Sequence, residues 1–186
     1  MDLQPTTIPS QEEEHDADER SLIDRARTDP ASFGVLYRRY YRAVAGCIYR
    51  RVGNVHVTED LAADVFIRAF KGIHRYRHGN APFRFWLYRI ATNVVTRWAR
   101  TRRTGFFGLE RNHPGFTEGP AVHDDLLTAL RSLGASHQAV VSLHYFEELS
   151  VQEVAIVLGC SVGTVKSRLS RARDRLRHKL EQGQST

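Results

Sequence analysis

Apolar residues recur along this chain at spacings of three and four and show little of the alternation that marks strands, so the pattern predicts helices throughout. Asp29 followed by Pro30 reads as an N-cap with proline at the first helical position, and behind it Phe33, Leu36, Tyr37, Tyr40, Val44, Ile48 and Val52 trace a core face. Thr58 reads as the start of a second helix, with Glu59 and Asp60 in the first turn, where the helix dipole favours acids. Its stripe is Leu61, Val65, Phe66, Ala69, Phe70 and Ile73. The run HGNAP breaks that pattern, and a third helix follows from about Phe83 to Arg103, striped by Phe83, Trp86, Leu87, Ile90, Ala91, Val94 and Trp98.

The pattern then lapses. Residues 104 to 123 hold four glycines and two prolines without a period, which is the composition of a linker. Helices at about 124–133 and 137–147 follow, and after them LSVQEVAIVLGCSVGTVKSRLSRARDRLR. Ser150 with Glu153 is a capping box for a short helix ending at Leu158, Gly159 suits the left-handed residue beyond it, and Ser161 caps the last helix. Val162, Val165, Leu169, Ala172 and Leu176 form one apolar stripe there, leaving Lys166, Ser167, Ser170, Arg171 and Asp174 on other faces. Two short helices about a Gly-containing turn make a helix-turn-helix, whose second helix enters the DNA major groove. A basic amphipathic helix alone would be a solvated face or a membrane- or partner-binding surface; the capped helix and glycine turn before it point to DNA. The expected fold is all-α: two small helical domains at 20–104 and 124–181, joined by a flexible linker at 105–123.

Charge sharpens this picture. The 186 residues carry a formal +6, but residues 1–19 hold seven acids and no Lys or Arg. That tail, read as disordered, carries −7 and leaves +13 on the rest. A body so basic suits a polyanion, nucleic acid or acidic membrane. No apolar run is long enough for a transmembrane helix and no signal-peptide pattern opens the chain, so membrane insertion is not expected. Cys47 and Cys160 read as free thiols of a reducing cytoplasm. The nine histidines are scattered, and His74 and His78 have no Cys or acidic partner at ligand spacing, so no metal or cofactor is expected. No nucleophile–base pattern or phosphate loop suggests an enzyme.

A second basic row lies on the third helix, where Arg89, Asn93, Arg97 and Arg100 fall at spacings of four, four and three, with Arg102 and Arg103 beyond. Bases near a helix C-terminus also satisfy its dipole, but a short amide among arginines is suited to reading a base edge. One or two of the nearby aromatics, which include Tyr76, could stack on an unpaired base. On the middle helix Asp60 and Asp64 precede Arg68 and Lys71; Asp64 with Arg68 is either a plain ion pair or part of a protein-facing surface.

Two stretches carry a family resemblance. DLAADVFIRAFKGIHRYRHGNAPFRFWLYRIATNVVTRWARTRR resembles region two, and the helix-turn-helix string resembles region four, of bacterial sigma factors of the extracytoplasmic function (ECF) group. The resemblance implies that Asp60, Asp64, Phe66, Arg68 and Phe70 dock on the clamp helices of the largest subunit of core RNA polymerase, with the flap region of the second-largest subunit as a further contact. It implies that Tyr76, Ile90 and Asn93 form a pocket for a base flipped from the melted −10 element, with Arg89, Arg97 and Arg100 on the same DNA. It assigns Lys166, Ser167, Arg168, Ser170, Arg171 and Arg173 to the −35 element. An anti-sigma factor is an implied further partner, and the implied activity is promoter recognition and melting for transcription initiation in the cytoplasm. The rival reading is a helix-turn-helix regulator that binds promoter duplex without polymerase; it leaves the arginine–aromatic helix without a purpose.

Overall fold

The computed structural model describes residues 11–79, 81–103 and 122–183, all of the regular structure among them helical. The elements are α1 (Gln11–Arg25), α2 (Pro30–Val52), α3 (Val55–Gly72), a 3-10 turn at Ile73–Arg75, α4 (Phe83–Arg103), α5 (Val122–Arg131), α6 (Ala135–Val141), a wide turn at Ser142–Phe146, α7 (Val151–Leu158) and α8 (Val162–Gly183). The linker reading at 105–123 lies almost wholly outside the described residues, as does the start of the acidic tail.

Local chemistry sets most of the boundaries. Asp29 caps α2, accepting from the backbone N–H groups of Ala31 and Ser32 at 3.0 and 2.9 Å and from the Ser32 hydroxyl at 2.6 Å. These bonds, the hydroxyl's first, hold its carboxyl below the ordinary range. Gly53, at φ 73, ends α2. α3 begins three residues before Thr58: Asn54 is the cap, accepting from Val57 N–H at 2.9 Å. Thr58 instead lies inside the helix, where its hydroxyl donates to the Asn54 carbonyl at 2.7 Å. The composition of 1–19 pointed to disorder, yet α1 starts at Gln11. Asp18 pairs with Arg39 at 3.3 Å, and Glu19 accepts from the Tyr40 hydroxyl.

Two apolar cores result. The first joins Leu22, Ile23 and Ala26 of α1 to Leu36, Val44 and Ile48 of α2, Ala62, Val65 and Phe66 of α3, and Phe83, Leu87, Ala91 and Val94 of α4. The second is built from α5 to α8, with Leu130, Val140, Leu143, Val154, Val157, Val165 and Leu169 among its members. Cys47 of α2 and Phe85 and Tyr88 of α4 belong to the second core, although their helices belong to the first module. α2 and α4 therefore each have two buried faces, and the two modules pack against each other. The sequence reading of two helical modules did not anticipate this seam.

Candidate nucleic-acid interface

The helix-turn-helix is set by short-range bonds. Ser150 accepts from Glu153 N–H at 3.2 Å while the Glu153 carboxylate accepts from Ser150 N–H at 2.7 Å, closing the capping box and holding that carboxyl below its usual range. Gly159 takes φ 63, and Ser161 accepts from Thr164 N–H at 3.1 Å. Val165, Leu169 and Ala172 are buried, which turns the opposite side of α8 outward. Lys166, Ser167, Ser170, Arg171 and Arg173 are exposed and Arg168 is half-buried. The Ser167 hydroxyl donates back to the Thr164 carbonyl at 3.1 Å.

The bases form two flanks. Lys166 and Arg173 stand on one, Arg168, Arg171 and Arg175 on the other, at the spacing of a single helical face. The second flank lies toward α6, where burial first, and then the charges of Arg175, Arg171 and Arg168, push the His137 imidazole below its ordinary pKa. His137 is therefore neutral at pH 7, and its buried Nε2 has no hydrogen-bond partner. Nothing in the sequence singled it out, because 31 residues separate it from the first of those arginines.

On α4 the row Arg89, Asn93, Arg97 and Arg100 is exposed, and Ile90 is half-buried against the first core. Tyr76 lines one cleft with Arg89, the first residue of that row, but most of its ring is buried. It is 7% exposed, stands edge-on to Phe83 with ring centroids 5.2 Å apart, leans on Trp86, and donates its hydroxyl to the Ala81 carbonyl at 2.8 Å. It braces the loop before α4. Two clefts flank the brace. One of about 190 Å³ is lined by Arg20, Ile23, Tyr76, His78, Pro82 and Phe83. The other, of about 240 Å³, lies between α4 and α7, lined by Arg75, Arg77, Trp86, Arg89, Ile156 and Val157. The loop is tied to α1: Asp24 pairs with His78 at 3.0 Å and Arg27 at 3.3 Å, and Arg27 donates to the Tyr76 carbonyl at 3.2 Å. The ties from Asp24 to His78 and from Arg27 to Tyr76 join residues 54 and 49 positions apart, which no local period reveals.

The α3 surface is acidic and apolar together. Asp60 is exposed, Asp64 half-exposed, and Arg68 Nε bonds Asp64 Oδ1 at 2.8 Å, the plain i,i+4 pair. Phe70 is 43% exposed and Ile67 52% exposed. Phe66 is a core residue, 4% exposed and edge-on to Tyr37 at 4.8 Å, so it presents no ring to a partner. Ile67, one step along, takes the outward position expected of Phe66. Its exposure was hidden because Phe66 fits the core stripe and the interface alike.

Among the described residues, no helix is long and apolar enough to cross a membrane. Comparison with known proteins agrees with the architecture. Residues 36–104 match the family model for sigma-70 region 2, and residues 123–176 match that for sigma-70 region 4. The chain is 33% identical over 172 residues to the ECF RNA polymerase sigma factor SigW of Bacillus subtilis, covering 82% of this chain and 90% of that one. It is 31% identical over 156 residues to the RNA polymerase sigma factor YlaC of the same organism, covering 78% of this chain and 90% of the relative. Among solved structures, CnrH in complex with the cytosolic domain of CnrY is similar with a TM-score of 0.65 at 27% identity, over 87% of this chain and 96% of that one. The sigma factor RpoE of Bartonella quintana, in complex with the anti-sigma factor NepR, gives 0.66 at 25% identity over 80% and 96%. With both regions matched in order and relatives more than 30% identical over most of both chains, the chain belongs to the ECF group of the sigma-70 family of RNA polymerase sigma factors.

Proposed function

We propose that this sigma factor divides its work among three surfaces. The α3 face, with Asp60, Asp64, Ile67, Arg68 and Phe70, meets the clamp helices of the polymerase. The α4 row, with Arg89, Asn93, Arg97 and Arg100, follows the −10 strand, and α8 reads the −35 duplex through Lys166, Ser170, Arg171 and Arg173, with Arg168 and Ser167 beside them. The observation that carries this reading is the pairing on one chain of two basic helices, each buried on its apolar side and exposed along its cationic row.

The physics needs no catalytic residue in this chain, which acts as an initiation factor and leaves the chemistry to polymerase. Each reader alone buries too little surface for tight specific binding. Held on polymerase, they engage one promoter with the second contact effectively intramolecular. Between them about 20 residues reach roughly 66–72 Å fully extended, enough for elements nearly two turns apart at about 34–36 Å per turn. Capture of an unstacked base offsets the few kcal/mol of unpairing. The cytoplasm is the compartment this work requires. An anti-sigma factor is a fitting regulator, as CnrY and NepR accompany the two similar structures. Run-off transcription with core polymerase and promoter fragments of its own genome tests the reading: specific transcripts that need this protein support it, and none, beside an active control sigma, overturns it.

A further inference from the structure

We propose that the cleft between α4 and α7 is a binding site for a purine nucleoside polyphosphate, with the base against Trp86 and the phosphates on Arg75, Arg77 and Arg89. The site shares Arg89 with the α4 row and no residue with the α8 face or the α3 surface.

The cleft offers a base two apolar walls. Trp86, Tyr76 and Phe85 line one side, and Ile156 and Val157 of α7 the other. Tyr76, Phe85 and Val157 are buried, so the half-buried indole and Ile156, which is 49% exposed, are the surfaces a ligand reaches. At about 240 Å³ the space is smaller than the roughly 300–1,000 Å³ of a drug-sized site. It takes one ring system and leaves the polar remainder of the ligand at the mouth. Trp86 is a fixed platform there. Its ring packs on Tyr76 and Phe83 with centroids 5.5 and 5.4 Å away, and its Cζ2 lies 3.4 Å from where a Cβ on Gly72 would stand. An indole so held stacks a base with little ordering cost, and a purine buries more of it than a pyrimidine.

The mouth is cationic and unbalanced. Arg75 and Arg77 stand on either side of Tyr76 in sequence, Arg89 comes from α4, and all three are exposed. Elsewhere the chain pairs its bases, as in Arg27 with Asp24, Arg39 with Asp18 and Arg68 with Asp64. Among the described residues none of these three arginines has such a carboxylate, and no Asp or Glu lines the cleft. Three like charges around one apolar slot repel one another, and an anion that bridges them removes that cost. Guanidinium forks match phosphate oxygens, and a chain of phosphates carries charge enough for all three. Nη2 of Arg89 lies 3.3 Å from where a Cβ on Gly159 would stand, so the glycine that ends α7 also leaves this arginine its place. Of the α4 row only Arg89 lines the cleft, and a DNA strand along that row leaves Arg75, Arg77 and the α7 wall unused. A short free ligand uses them all.

The test is calorimetric titration of the full-length chain with ATP, GTP and inorganic pyrophosphate at about 0.15 M salt. Beside it runs the emission of a Trp98→Phe chain, in which Trp86 is the one remaining indole. ATP or GTP should bind with a dissociation constant below about 0.1 mM and quench Trp86. Pyrophosphate should bind at least about tenfold more weakly and leave the emission unchanged. Arg75→Ala with Arg77→Ala, both at exposed positions, should weaken nucleotide binding at least about tenfold with the melting temperature unchanged. Ile156→Glu, which sets a carboxylate in the slot, should do the same; should it unfold the chain, the arginine pair decides. A single-stranded DNA oligonucleotide should keep its affinity for the Ile156→Glu chain. No nucleotide binding, or full affinity in the folded variants, overturns the site. Pyrophosphate binding as tightly as ATP, or binding without quenching, would reduce it to an adventitious ion on arginines. An equal loss of the oligonucleotide from the Ile156→Glu chain would give the cleft to a DNA strand and sink the free nucleotide.

Discussion

α4 and α8 are basic helices of 21 and 22 residues, and they are held in different ways. α8 buries one stripe, Val165, Leu169 and Ala172, and leaves a broad arc for its bases. α4 is buried on two sides, Phe83, Leu87, Ala91 and Val94 toward the first core and Phe85 and Tyr88 toward the second. Its bases are confined to the strip between. A helix with one buried face can serve as a projecting reader whose surface varies without cost to the fold. A helix with two is a strut, and whatever reads DNA on it is positioned by packing from both modules.

The largest effect that would break this contrast is on Phe85, which is 3% exposed. Phe85→Ala should destabilise the chain by about 3–5 kcal/mol in urea unfolding; a loss near that of a surface site would mean the modules do not pack in solution. Next come the readers themselves. Arg171→Ala should cost about 1–3 kcal/mol of affinity for −35 duplex, measured on the holoenzyme, with the melting temperature unchanged. Arg97→Ala should weaken binding to an open −10 strand and leave the −35 duplex affinity as it was. A loss on both probes from either variant would erase the division between the helices.

The seam also predicts a pH dependence. Burial, with the Glu147 charge adding to it, raises the Cys47 thiol from about 9 to about 12. An acid whose folded pKa is raised stabilises the fold below its unfolded pKa and loses that contribution as pH climbs through the folded one. Stability should therefore fall between about pH 9 and 12, by at most about 1.4 kcal/mol per unit from this group. Tyr88, raised by burial and by its bond to Glu147, adds to the fall above pH 10. Cys47→Ala should flatten the slope between pH 9 and 10 in unfolding measured across that range; a slope that persists would place Cys47 outside the seam. The smallest effect is on α3, where Asp64→Ala should cost about 0.3–0.5 kcal/mol of stability and a larger share of polymerase affinity. A lowered melting temperature with normal polymerase binding would make the Asp64–Arg68 pair purely structural.

Much of this molecule was legible from its residues alone. The caps at Asp29, Ser150 and Ser161, the glycine end at Gly159, and the stripes of α4 and α8 are local, because a side chain and the backbone three residues away meet in any helix that starts there. The outward rows followed by the same periodicity. Phe66 and Tyr76 read as contact residues, since an aromatic at a stripe's edge has the same spacing whether it faces core or partner; only the structure shows them packed edge-on against Tyr37 and Phe83. Asp18 and Glu19 read as tail because acids predominate there, but Arg39 and Tyr40 of α2 hold them. By itself, then, the sequence determined α2, α4, α7 and α8, the caps at Asp29, Ser150 and Ser161, the two basic faces and the family, all of which depend on residues within a turn or two of each other, whereas the start of α1 and the Asn54 cap of α3 came only with the structure. Only the tertiary structure decided that α2 and α4 carry a second buried face and that Glu147 meets Arg50 and Tyr88, since those contacts span 59 to 97 positions and arise from packing, which no local period encodes.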